Sequence, residues 1–93
     1  MDKWQRREFN LSNMRAELEA LDFSTESIGR LLTLLQVSKG MIDDGTIQED
    51  YRNDIDIWTN DVYKLSANNI NRKKFEGIKN DFQSAIFSWI NNS

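Results

Sequence analysis

The sequence predicts an all-α fold, a small antiparallel bundle of about four helices. Three observations carry this. Apolar residues recur at three- and four-residue spacings through most of the chain. The stretches between those runs carry capping and turn residues, not the alternation of paired strands. No proline interrupts any of the 93 residues. A length of 93 residues also fits one domain, spanning 1–93, since domains typically hold about 100–150 residues.

The first helix is expected from about Asp2 to Leu21. Leu11, Met14, Leu18 and Leu21 are spaced 3, 4 and 3, a single stripe that Trp4 extends upstream. Phe9, Ala16 and Ala20 form a weaker stripe on nearly the opposite side. The second helix should begin at Ser24, with Phe23 and Ile28 placed as a hydrophobic staple. Its apolar set, Ile28, Leu31, Leu32, Leu34, Leu35 and Val37, is mostly spread over roughly 160°, so this helix should be surrounded on more than one side. Gly40 after Lys39 is the expected stop.

Asp43-Asp44-Gly45 then reads as a turn, and Thr46 with Glu49 as a capping box opening the third helix. From Tyr51 that helix continues through Ile55, Trp58, Val62 and Leu65 at spacings of 4, 3, 4 and 3. Residues 66–69 read as a loop. Asn71 should cap the fourth helix, with Ile70 and Phe75 as a second staple and Ile78, Phe82, Ala85, Ile86 and Trp89 continuing the stripe.

Composition removes most chemistry. At 39% hydrophobic and 29% charged the chain is globular in character, not disordered. It has no cysteine and no histidine, which excludes disulfides, thiolate ligands, the commonest general base and the commonest metal ligand. No glycine-rich phosphate loop, nucleophile elbow or paired-histidine zinc motif occurs. Asp50 and Asp54 stand one turn apart, but a bundle of this size offers little cleft to shift a carboxyl pKa. No catalytic, cofactor-binding or metal-binding residues are therefore expected, and the chain reads as a non-enzyme.

Asp44-Gly45-Thr46-Ile47 resembles the middle of an EF-hand calcium loop, with an acid, the turn glycine and a packing isoleucine in that order. The resemblance ends there. In that register Gly40 and Ile42 occupy ligand positions, and Tyr51 stands where a bidentate glutamate is needed. A helix start explains the same residues. Trp58-Thr59-Asn60 likewise lacks the glycine of the W-x-G turn found in secreted helical hairpins.

The net charge of −3 is unevenly placed. Residues 43–61 hold seven acids against Arg52 alone, a local −6 that leaves the rest of the chain at +3. Basic residues gather at Lys3, Arg6 and Arg7 and at Arg72, Lys73, Lys74 and Lys79. No apolar run follows the first group, so the start does not read as a secretory signal, and a cytoplasmic location with no membrane contact is expected. Asparagine, isoleucine and lysine together supply 25 residues, a bias expected of an AT-rich bacterial or phage genome.

The positive signal is surplus apolar surface. On the helical wheel Phe87 lies about 140° from Phe82, Tyr63 about 140° from Trp58, and Ile57 about 100° from Trp58. With Phe9 they exceed what one inward direction per helix can bury. The expected function is contact with another protein, as adaptor, regulator or inhibitor, or with a second copy in a homodimer. Phe9, Ile57, Tyr63 and Phe87 are the expected contacts, and Asp50, Asp54, Asp56 and Asp61 would steer a basic partner. The alternative is nucleic-acid binding through Arg72, Lys73, Lys74 and Lys79, against which the pI of about 4.8 argues.

Overall fold

A computed structural model describes residues 3–67 and 71–91, with side chains described for 10–65 and 71–91. Four helices account for most of them: α1 (Lys3–Glu19), α2 (Thr25–Asp43), α3 (Arg52–Ala67) and α4 (Arg72–Asn91). A short 3-10 turn, Glu49–Tyr51, precedes α3, and no strand occurs among the described residues. The protein is a small all-α bundle.

Pairs of side chains fix the directions. Lys39 of α2 meets Asp56 of α3, whereas Asp43, further along α2, meets Arg52 at the start of α3. Trp58 packs on Phe82 and Tyr51 on Trp89, so α3 and α4 also run oppositely. Lys79 reaches the end of α1, while Phe87 lies under Arg15, so α4 is antiparallel to α1. The largest packing faces are α1 on α4 and α2 on α3.

The expected stripes make the core. Leu11, Met14, Leu18 and Leu21 are buried against Ile28, Leu31, Leu34 and Leu35 of α2, Ile55, Val62 and Leu65 of α3, and Phe75, Ile78, Phe82, Ile86 and Trp89 of α4. Each such side chain stabilises the fold by about 1.5–3 kcal/mol relative to exposure. The Ser38 hydroxyl is fully buried among them. Ser38 donates to the Leu34 carbonyl at 3.0 Å and lies 3.3 Å from the Met14 sulfur, so its hydroxyl is satisfied where α1 crosses α2.

Ser24 is the N-cap of α2, with its Oγ accepting from the Ser27 N–H at 3.1 Å. Asn71 caps α4, its Oδ1 accepting from the N–H groups of Lys73 and Lys74 at 2.9 and 3.3 Å. Ile70, the proposed staple partner of Phe75, lies outside the described residues. The Phe23 ring turns to α4 and packs edge-on against Phe75 at 5.6 Å.

Four expectations are corrected. Helix α2 does not stop at Gly40 but runs to Asp43, because Ile42 is a core residue whose burial outweighs the glycine. The stop is Gly45, at φ 86°: its N–H donates to the Ile42 carbonyl and the Thr46 N–H to the Met41 carbonyl, the paired bonds of a Schellman ending. Thr46 does not open α3 through a capping box. Its N–H and hydroxyl both donate to Asp44 Oδ1, at 2.9 and 2.6 Å, and Glu49 is held by Arg52. Ser66 and Ala67 continue α3 instead of forming a loop. Val37, grouped with the apolar set of α2, is 46% exposed, since it lies two residues from Leu35 and so about 160° from it around the helix.

Candidate interaction surface

The bundle measures 24 × 17 Å across, which four helices spaced about 8–10 Å apart already fill. What remains is surface. Ile57, Tyr63 and Phe87 are 49%, 50% and 52% exposed. Phe9 lies outside the described side chains, although Ala16 and Ala20, which share its expected stripe, are exposed.

These residues do not form one patch. Ile57 and Tyr63 stand six residues apart on α3, hence about 120° around it. Tyr63 shares a side with Asp56, which accepts from Lys39 of α2 at 2.9 Å. Phe87 belongs to the α1–α4 side, where the Arg15 guanidinium lies 5.2 Å from its ring centroid. A shallow hollow of about 260 Å³ lies beside that pair, lined by Glu19, Gln83 and Ser84.

The four steering acids divide in the same way. Asp56 is held by Lys39, and the neighbouring Asp43 and Glu49 are both held by Arg52, which they push further toward its charged form, Glu49 more strongly. Asp50 and Asp54 are exposed and Asp61 is half-buried, with the exposed Lys64 three residues on from it, and no ion pair among the described residues reaches these three acids. Asp54, Ile57 and Asp61 follow one another at spacings of three and four, so they share a face of α3.

The basic residues of the alternative reading do not converge. Arg72 lies over the Phe23 ring at 5.3 Å, and Lys79 donates to the Leu21 carbonyl at 2.7 Å, so both hold the α1–α2 turn against α4. Lys73 and Lys74 are exposed but point about 100° apart. The Asn71 side chain already accepts from both their backbone N–H groups, so the helix start offers little to a phosphate.

A second hollow, about 430 Å³, lies at the α1–α2 turn, where Ala20 and Leu21 sit beside polar groups, several of which partner each other. Asp22 Oδ1 accepts from Ser27 and Ser24 hydroxyls at 2.9 and 3.2 Å, and Arg30 pairs with Glu26 at 3.8 Å. The Ser27 and then the Ser24 hydrogen bond hold the Asp22 carboxyl below the ordinary aspartate range. Among the described residues no group of three or more acidic side chains could hold a metal ion, and no helix is long and apolar enough to cross a membrane.

No protein-family model matches the chain, and comparison with curated proteins and with solved structures gives no match to either. Sequence reasoning had no means to foresee which acids are taken up internally. That depends on Lys39 and Arg52 being brought across from other parts of the fold. Exposure of Val37 was readable from the wheel, as its position falls well outside the stripe of Ile28, Leu31 and Leu35.

Proposed function

We propose that this chain is a small, non-enzymatic, cytoplasmic protein–protein interaction module that acts as an adaptor, regulator or inhibitor. The observation that supports this most is the set of large apolar side chains left about half exposed, Ile57, Tyr63 and Phe87, beside a core that is already full. Isolated exposed apolar residues are ordinary, but aromatic and branched side chains beside charged rims are what protein contacts use. The nucleic-acid alternative is less well supported, because Arg72 and Lys79 are engaged within the fold.

A photo-crosslinking amino acid placed at position 57, 63 or 87 tests the reading in cells that make the protein. A discrete adduct with another polypeptide, or with a second copy, is expected from at least one site. Absence of any adduct at all three positions overturns it. Light scattering across a concentration series separates the two partners, since only self-association raises the mass of the purified chain above 10.9 kDa.

A further inference from the structure

We infer that Asp44–Gly45 is a site of spontaneous backbone isomerisation, which the folded turn between α2 and α3 holds closed.

The chemistry belongs to the dipeptide. The Gly45 nitrogen attacks the side-chain carboxyl carbon of Asp44, an N–C bond forms, and water leaves, giving a five-membered imide. Water then opens the ring at either carbonyl. Opening at the backbone carbonyl leaves the chain running through the side chain, as isoaspartate, with no redox change and no net gain or loss of atoms. Glycine favours the attack because no Cβ shields its nitrogen. Among all aspartates and asparagines of the chain, Asp44 alone is followed by glycine. Both residues are exposed, so water reaches the bond.

The fold opposes ring closure by geometry. Closure needs the Gly45 nitrogen to eclipse the Asp44 Cβ about the Cα–C bond. At ψ 1° it eclipses the Asp44 nitrogen instead, about 120° away, as a tetrahedral Cα dictates. Hydrogen bonds hold that angle. The Gly45 N–H donates to the Ile42 carbonyl at 3.1 Å, and the Thr46 N–H to the Met41 carbonyl at 2.8 Å. The carboxylate is held too, since Asp44 Oδ1 accepts from the Thr46 N–H and hydroxyl at 2.9 and 2.6 Å. Ile42 and Ile47, both buried, anchor the turn on either side. Rotating ψ into the closing range breaks these bonds together, so the reaction waits on local opening of the turn.

The product is not neutral for the fold. An isoaspartyl link adds one carbon to the main chain directly before Gly45, whose φ of +86° sets the ending of α2. The spacing that brings the Gly45 and Thr46 N–H groups onto Ile42 and Met41 is then lost.

The full chain is incubated at neutral pH, folded or in guanidinium chloride, and isoaspartate at position 44 is followed by peptide mapping and mass spectrometry. The unfolded chain should accumulate it at least about tenfold faster than the folded one. Thr46→Val removes the hydroxyl donor and should speed the folded chain about fivefold, the factor expected for one hydrogen bond in the opening equilibrium, while leaving the unfolded rate unchanged. Isolated isoaspartyl protein should melt below the parent. Equal rates for folded and unfolded parent, no isoaspartate at position 44 in denaturant, or a folded Thr46→Val chain as slow as the parent overturns the inference. The comparison of folded with unfolded parent decides it even where the variant folds poorly.

Discussion

The Lys79 ammonium donates to the backbone carbonyl of Leu21 at 2.7 Å, spanning 58 residues of sequence to close the end of α1. Leu21 lies two residues past the last residue of α1, so this charge-assisted bond pins the α1–α2 turn to α4. Phe23, the next apolar residue of the turn, is gripped by Phe75 and Arg72. One short turn is thus locked to the start of α4 by three separate contacts.

Replacing Lys79 with methionine keeps the stem and removes the donor. It should destabilise the protein by about 1–2 kcal/mol, less than a fully buried charged hydrogen bond would cost because the site is half-buried. Urea unfolding checks this, and an unchanged midpoint would show that the Leu21 carbonyl is served equally well by water.

Inward and outward aromatic residues on α4 should differ sharply. Phe82 is fully buried and packs on both Trp58 and Trp89, so Phe82→Ala should cost about 3–5 kcal/mol. Phe87→Ala loses a half-exposed ring and its cation–π contact with Arg15, and should stay within about 1 kcal/mol. Thermal melts of the two variants provide the comparison.

Glycines divide by backbone, not by crowding. Nothing lies within 4 Å of a Cβ built on Gly29 or Gly77, both inside helices, so alanine at either should stabilise by about 0.5–1 kcal/mol. At Gly45 the same open space is no help, because φ is +86°. Gly45→Ala should destabilise by about 1 kcal/mol or more, as any residue with a Cβ strains there. Chemical denaturation of the three variants settles the order.

The Asp22 carboxylate gives the fold a specific acid sensitivity. Its pKa is depressed by Ser27 first and Ser24 second, so the folded state favours the ionised form. The stabilisation is complete above the unfolded value of about 3.9 and is lost as pH falls through the lower folded one. Asp22→Asn should therefore melt below the parent near neutral pH, with the gap narrowing toward about pH 2. A gap that stays constant over that range would show that the serine hydroxyls do not favour the charged form.

The helical stripes were legible because burial has the period of the helix. Leu11, Met14 and Leu18, or Phe75, Ile78 and Phe82, could lie on one side in no other regular structure. The boundaries around Gly40 and Thr46 were not. Gly40 sits where a stop is plausible, but whether a helix continues past a glycine depends on what the next turn buries, and Ile42 buries itself. Thr46 and Glu49 have capping spacing, but Asp44 and Arg52 compete for them and win.

By itself the sequence determined the class of fold, the inward stripe of each helix, and the absence of cysteine and histidine chemistry, since periodicity and composition are local properties. Only the tertiary structure decided which charges face outward. Arg72 and Lys79 were absorbed by the α1–α2 turn and Asp56 by Lys39, while Asp54 and Asp61 were left beside Ile57. A charged side chain is neutralised or left available by whatever the fold places within a few ångströms of it, and that neighbour is usually far away along the chain.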